Sequence, residues 1–362
     1  MKTDGTATIR RFPAENAGTF VCFRLPGAAE AVCLSGKCEE IDDISGQGFA
    51  IAPFLRTKDC PAVIIRPERT ERVPLAASRP TLREDIRPES RSEERRAYAE
   101  GFAVCRQALV AGQLKKVVYA RRHTLSLDAA DEEALGAYFL RACRLYPQHY
   151  VALWRTALTG TWLVASPELL VSARTRLGET CGTTMALAGT LGATDEHLSG
   201  LDAWDKKNRE EQRLVTHYIT GRLRRHCTDI RVGEPRPVRS GSVAHLCTTL
   251  SFRSRTADVG RIARLLHPTP AVCGLPAEEA ARILASAENA PRRYYAGYSG
   301  PCAVGDAATR LFVSLRCLEI QGTSATLYAG GGLLKESTEA DEWEETQRKL
   351  STILAIIGRP QP

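Results

Sequence analysis

As a run of apolar and polar positions, the chain opens with short strands. Phe20-Val21-Cys22-Phe23 and Ala62-Val63-Ile64-Ile65 are brief apolar runs between glycines and prolines, so the first 75 residues predict strands and not long helices. Residues 73–95, rich in Pro, Arg, Glu and Ser, read as a surface linker. From Glu94 to Ala111 the period lengthens. Tyr98, Phe102, Cys105 and Leu109 recur at three- and four-residue steps, which predicts an amphipathic helix. A strand is predicted at Lys116–Ala120, with further strands over 161–165, 311–320 and 325–329. Helices are predicted over 208–225, 277–288 and 338–357. No repeat interrupts this order, and the pattern describes a large α+β domain with helices packed on sheets.

Composition narrows the picture. Of 362 residues, 43% are hydrophobic and 25% charged, enough apolar material for a sizeable core. The net charge of +7 suits an anionic partner. The basic residues, however, fall in short clusters such as Arg222-Leu223-Arg224-Arg225, without the long tract of a nucleic-acid-binding arm, so a small dianionic ligand is the better fit. The 12 cysteines form no CxxC pair and have no metal-ligand spacing with histidine, which points to reduced, mostly buried thiols. With no stretch of 18 apolar residues and no leader-like start, the expectation is a cytoplasmic protein without membrane contact.

Two of the predicted helices carry carboxylates where a structural helix would carry apolar groups. Glu211 shares a face with Leu214, Val215, Tyr218 and Ile219. Glu342, Glu345 and Lys349 extend the stripe of Leu350, Ile353, Leu354 and Ile357 toward the helix start. A solvated first turn capped by Thr338 is the plain alternative. Inward carboxylates from two helices would instead make a hard oxygen site suited to Mg²⁺. Upstream, Tyr328-Ala329-Gly330-Gly331-Gly332 lies between a strand and a helix. Glycines there would let backbone N–H groups approach an anion, unless the run is only a flexible turn.

The ordered set of segments is more informative than any one of them. It comprises Lys116-Val117-Val118-Tyr119-Ala120-Arg121, Ser166-Pro167-Glu168-Leu169-Leu170, Leu187-Ala188-Gly189-Thr190, His245-Leu246 and His267-Pro268-Thr269-Pro270-Ala271-Val272-Cys273-Gly274. Tyr295-Ala296-Gly297, Leu315-Arg316, Tyr328-Ala329-Gly330 and Glu342-Trp343-Glu344-Glu345-Thr346 with Lys349 complete it. In this order and spacing the chain resembles the chorismate-binding enzymes, the isochorismate, salicylate, anthranilate and aminodeoxychorismate synthases. The resemblance runs from Lys116 to Lys349. It implies two stacked antiparallel-rich β-sheets forming a core with helices outside. Residues 1–90 would be a divergent N-terminal part of that fold, and 91–362 the catalytic region.

The same resemblance implies roles. Lys116 would be the base that activates water for attack at C2 of chorismate, and Glu168 the acid that protonates the departing C4 hydroxyl. Glu211 and Glu345, with Glu342 nearby, would hold Mg²⁺. Arg316, Lys349 and the backbone of Gly330, Gly331 and Gly332 would bind substrate carboxylate, and Tyr295 would orient it. Ala188, Gly189, Thr190, His245 and Ala271 would line the pocket. Lys116 stands where the ammonia-using members usually carry Gln, and Ala188 where aminodeoxychorismate synthases carry a nucleophilic Lys. Ala271 is similar to isochorismate synthases, whereas salicylate synthases tend to have Thr.

The resemblance therefore implies an isochorismate synthase serving menaquinone or siderophore synthesis, monomeric and needing no glutamine amidotransferase subunit. Salicylate synthase and a non-catalytic chorismate-binding homologue are the alternatives. Gln212 in place of a usual His, Arg293-Tyr294 in place of Arg-Gly, and Leu191-Gly192 in place of a basic segment depart from the family pattern.

Overall fold

A computed structural model of the chain describes residues 18–75, 88, 91–305 and 308–358. Strands β1 (Phe20–Arg24), β2 (Glu30–Glu40), β3 (Gly48–Ala52) and β4 (Val63–Pro74) precede helix α1 (Ser92–Val110), β5 (Lys116–Ser126) and α2 (Glu132–Leu145). Next come β6 (Tyr150–Thr156), β7 (Gly160–Ser166), β8 (Leu169–Arg176), β9 (Glu179–Gly192), α3 (Asp195–Ser199) and α4 (Lys206–Leu223). Strands β10 (Thr228–Val232), β11 (Arg236–Ser240) and β12 (Val243–Ser254) lead to α5 (Val259–Leu266), β13 (Gly274–Leu275) and α6 (Ala277–Ala287). The chain closes with β14 (Tyr298–Cys302), β15 (Thr309–Val313), β16 (Cys317–Gln321), β17 (Ser324–Leu333) and α7 (Glu339–Ile357).

The predicted helices are present within a residue or two of their expected bounds. The linker expected at 73–95 falls mostly on 76–87 and 89–90, outside the described residues. The strand predicted over 311–320 is two strands. It breaks at Ser314–Arg316, where Arg316 takes a left-handed φ of 47°. The glycine run is not a turn but the end of β17, paired with β5 through Gly330↔Ala120, Gly331↔Tyr119 and Gly332↔Val118.

The α+β class holds, but two separate sheets are not what forms. The antiparallel ladders join all 17 strands into one sheet. Its order begins β13-β5-β17-β16-β7-β6-β1 and continues β2-β4-β3-β14-β15-β8-β9-β12, with β10 and β11 side by side on the far edge of β12. The reason lies in the N-terminal strands. β1 pairs with both β2 and β6, and β3 with both β4 and β14, so β1–β4 splice two halves that would otherwise be separate.

The spliced ribbon doubles over, and one apolar cluster takes side chains from both of its ends, with Val117 and Tyr328 beside Ala186 and Leu250. Aromatic rings run through this cluster, the first contact joining β3 to β6 and the others staying among β6, β7 and β17, which lie close together in the strand order. Phe49 meets Trp154 at 6.5 Å, Trp154 meets Trp162 at 6.4 Å, and Trp162 meets Tyr328 at 5.5 Å between centroids. A second cluster seats α2 and α7 on the outer face through Leu135, Phe139, Leu350, Ile353 and Leu354. All 12 cysteines are free, and among the described residues no helix is long and apolar enough to cross a membrane.

Helix α1 touches β5 at Gly101. A Cβ there would lie 2.1 Å from the Tyr119 hydroxyl and 2.4 Å from the Ala287 carbonyl oxygen. Replacing Gly by Ala inside a helix ordinarily gains up to about 1 kcal/mol. Here overpacking against a backbone carbonyl costs about 1–3 kcal/mol and outweighs it. Gly101→Ala should lower the urea midpoint; an unchanged or raised midpoint would show that α1 is free to move off β5.

Candidate active site

The two ends of the strand order meet at a cavity of about 60 Å³. From one end, Gly330 and Gly332 of β17 reach it; from the other, Ala188, Gly189 and Thr190 of β9 and His245 of β12. Glu168, Glu211, Ala271, Tyr295, Arg316 and Lys349 complete the expected residues in its wall. Lys116, Gly331, Glu342 and Glu345 do not line the cavity itself but stand behind it.

Lys116 begins β5, between β17 on one side and β13 on the other, and is 0% exposed. A buried ammonium needs a counter-charge. Its Nζ lies 2.7 Å from Glu211 Oε1, an ion pair close in distance but not aligned as a hydrogen bond. Helix α4 delivers Glu211 to that spot and is capped by Asp205, whose side chain accepts from the Asn208 N–H. The contact depends on Gly332, where a Cβ would lie 2.2 Å from Glu211 Oε1 and 3.3 Å from Lys116 Cε.

Glu168 lies in the short link between β7 and β8 and is 2% exposed. Burial pushes its carboxyl up to about 8, against the opposing pull of the Lys116 and Lys349 ammonium groups. It is therefore protonated at neutral pH, with the Lys116 amine close enough to act on it.

Across the cavity, Arg316 is buried without a carboxylate partner among the described residues. Its Nη2 donates to His245 Nε2 at 3.1 Å, and its Nε has no partner. His245 is held neutral by burial and by Arg316, so its ring nitrogens divide their roles. Nδ1–H donates to the Gly189 carbonyl oxygen at 3.0 Å, leaving Nε2 as the acceptor. A guanidinium whose nearest partner is a neutral imidazole keeps donors for an anion. Lys349 sits on the same wall, donating to the Gly330 carbonyl at 2.8 Å and to Glu345 Oε1 at 2.6 Å.

The first turn of α7 is solvated at Ala340 and Asp341 but not at Glu342. Glu342 is 1% exposed, and Thr338 caps the helix through the Asp341 N–H. Burial, reinforced by neighbouring Glu345, pushes Glu342 up to about 7. Its Oε1 accepts from Lys207 Nζ and from Ser337 Oγ, each at 2.7 Å, while Oε2 has no partner.

Lys207 went unnoticed in the sequence, yet its ammonium is the cation that Glu342, Glu345 and Glu211 all act upon. Its only sequence signal is its place four residues before Glu211, one turn away on the same helix. Asn208, Leu315 and Tyr328 were missed as well; the last two line the cavity. Among the described residues no three acidic, His or Cys side chains are gathered tightly enough to ligate one ion as they stand. The donor set nevertheless fits a hard cation in kind. Three carboxylates act together on the Lys207 ammonium, although Glu211 and Glu345 also pair with Lys116 and Lys349, and Glu342 Oε2 is buried with no partner among the described residues.

Fold and site together define a chorismate-binding enzyme. A family model described as "Chorismate binding enzyme" matches residues 58–358, and the chain belongs to that family. It is 35% identical over 263 residues to a Mycobacterium tuberculosis protein named provisionally as the isochorismate synthase MenF, an alignment covering 69% of each chain. It is 30% identical over 253 residues to the isochorismate synthase EntC of Escherichia coli, covering 68% of this chain and 63% of that one. The solved structure of MenF, the menaquinone-specific isochorismate synthase of Escherichia coli, superposes with a TM-score of 0.81 at 21% identity, over 98% of this chain and 92% of the other.

The raised Glu168 acidity has a thermodynamic signature. Between the ordinary carboxylate value of 4.5 and about 8, the folded chain keeps a proton that the unfolded chain releases, so this group makes stability fall as pH rises through that window. Glu168→Gln should flatten that slope, and a carboxylic acid C=O infrared band should vanish from the native protein as pH passes about 8 and be missing from the variant. A band lost already near pH 5 in the native protein would mean an ordinary, ionised Glu168.

Proposed function

We infer that this chain is an isochorismate synthase, converting chorismate to isochorismate by moving a hydroxyl from C4 to C2. The observation that carries the reading is a protonated, buried carboxyl in the cavity wall with a lysine amine behind it, and in the same wall a guanidinium without a carboxylate partner among the described residues. The curated relatives with this arrangement of sequence are isochorismate synthases.

In this reading Arg316 and Lys349 hold substrate carboxylate, and His245 fixes the guanidinium in place. Glu168 donates its proton to the C4 hydroxyl, which departs as water. Lys116 accepts a proton from the water that adds at C2. An ammonium has no lone pair for that task, so Lys116 acts as the neutral amine after releasing a proton to solvent, and Glu211 then needs another positive partner. Magnesium, when bound, supplies positive charge that neutralises the substrate's ring carboxylate. Glu211, Glu342 and Glu345 are the residues that would hold it, with Lys207 moving aside; a third of that side chain is already exposed. Water is the nucleophile, so no ammonia-supplying subunit is called for. Small Ala188 and Ala271 leave the pocket without a second nucleophile.

Incubation with chorismate and Mg²⁺ should yield isochorismate without pyruvate; stoichiometric pyruvate would make the chain a salicylate synthase. Lys116→Ala and Glu168→Gln should each lower kcat by about 10²–10⁴-fold, the usual contribution of a positioned acid or base, while chorismate still binds. Normal turnover in either variant removes that residue from the mechanism. In the native enzyme kcat should fall as pH rises through about 8, where Glu168 loses its proton.

A further inference from the structure

Glu211 and Arg316 approach the pocket on elements from distant parts of the chain, and one irregularity connects them. The β9–β12 ladder slips between His245↔Thr190 and Leu246↔Ala188, leaving Gly189 as an unpaired bulge with φ of +72°. A bulge frees backbone groups from the ladder, and these need other partners. Here each is taken by a residue tied to one side of the site. The Gly189 carbonyl accepts from His245, whose opposite nitrogen accepts from Arg316. The next N–H, that of Thr190, donates to Asn208 Oδ1 at 2.8 Å.

Asn208 lies three residues before Glu211 on α4 and is 6% exposed. Its amide is oriented from the other side by donating to Asp205 Oδ2 at 2.7 Å, which leaves Oδ1 to face Thr190. Backbone contact closes the joint, because a Cβ on Gly189 would lie 3.0 Å from the Asn208 carbonyl oxygen. One turn further on, Gln212 donates to the Ala186 carbonyl at 3.0 Å and so holds α4 parallel to the same strand.

We propose that Asn208 is a positioning residue for this reaction. By clasping the Gly189 bulge to α4, it fixes the distance between the carboxylate at Glu211 and the anion-binding guanidinium of Arg316. The proposal rests on the isochorismate synthase reading for its substrate, though the clasp itself does not. Asn208 touches no reacting group and is not itself part of the cavity wall; it acts through Thr190 and the bulge.

The test compares Asn208→Leu, which removes the acceptor, with the exchange Asp205→Asn/Asn208→Asp, which keeps the acceptor facing Thr190 and returns a donor–acceptor pair between positions 205 and 208. Each is made in the native chain for KM and kcat and in a Glu168→Gln background for equilibrium binding of chorismate by calorimetry. Asn208→Leu should weaken KM and chorismate binding by about 10- to 100-fold, the usual loss for a residue behind the direct contacts, with a smaller effect on kcat. The Asp205→Asn/Asn208→Asp exchange should restore most of both.

Gly189→Ala strains the same joint from the other strand and should reproduce the Leu result, which keeps the test decisive if Asn208→Leu does not fold. Leu and native values that coincide, or an exchanged pair as impaired as Leu, overturn the proposal. If the native chain binds chorismate but does not convert it, the functional reading fails, while the binding ratios still judge the clasp.

Discussion

A lysine with no exposed surface must keep a negative partner at hand, and much of the molecule follows from how Lys116 is given one. The partner, Glu211, comes from a helix that follows β5 by some ninety residues, so β5 and α4 must meet wherever else the chain goes. Their meeting place is too narrow for a side chain on β17, which is why Gly332 stands there. An unpaired buried charge costs several kcal/mol, so the ion pair constrains the fold as well as the chemistry.

Charge in the pocket is arranged unevenly. Behind one wall, carboxylates and lysines are matched pair by pair, Lys116 with Glu211, Lys207 with Glu342 and Lys349 with Glu345. Glu168 stands outside this pairing and escapes its desolvation penalty by keeping a proton. Arg316 has no carboxylate in ion-pair contact among the described residues, only the more distant pull of Glu345. The result is a small enclosed space with one neutral acid, one unmatched cation and a reserve of acidic groups behind a lysine, complementary to an anionic substrate and, with Lys207 withdrawn, to a divalent cation.

Much of this was legible in the sequence wherever period and chemistry disagreed. Glu211 and Glu342 interrupt apolar stripes, and both are buried. Motif order identified Lys116 and Glu168, although nothing in the periodicity of β5 distinguishes a buried lysine from one at a solvent edge. The misreadings share a cause. Gly330–Gly332 read as lying between a strand and a helix because glycine is taken as punctuation, but it continues β17 and leaves room for neighbouring carboxylates. The run 311–320 looked like one strand because the residues around Ser314–Arg316 are apolar enough to continue it, and only a left-handed Arg316 breaks the ladder. Lys207 and Asn208 were invisible because their importance arises from groups that reach them from α7 and β9. The single sheet could not be foreseen, since strand partners hundreds of residues apart leave no local trace.

That single sheet also sets an order of events during synthesis. The strands made first lie in the middle of the finished ribbon, and their outer neighbours are made much later: β1 waits for β6, and β3 waits for β14 near residue 300. Until then the nascent β1–β4 ribbon has two open edges, the form most prone to pairing with another chain. The charged residues along β4, Arg66, Glu68, Arg69, Glu71 and Arg72, lie beyond the reach of β3, which pairs only with Val63–Ile65, and discourage pairing along that remaining edge in the nascent ribbon and the native state alike.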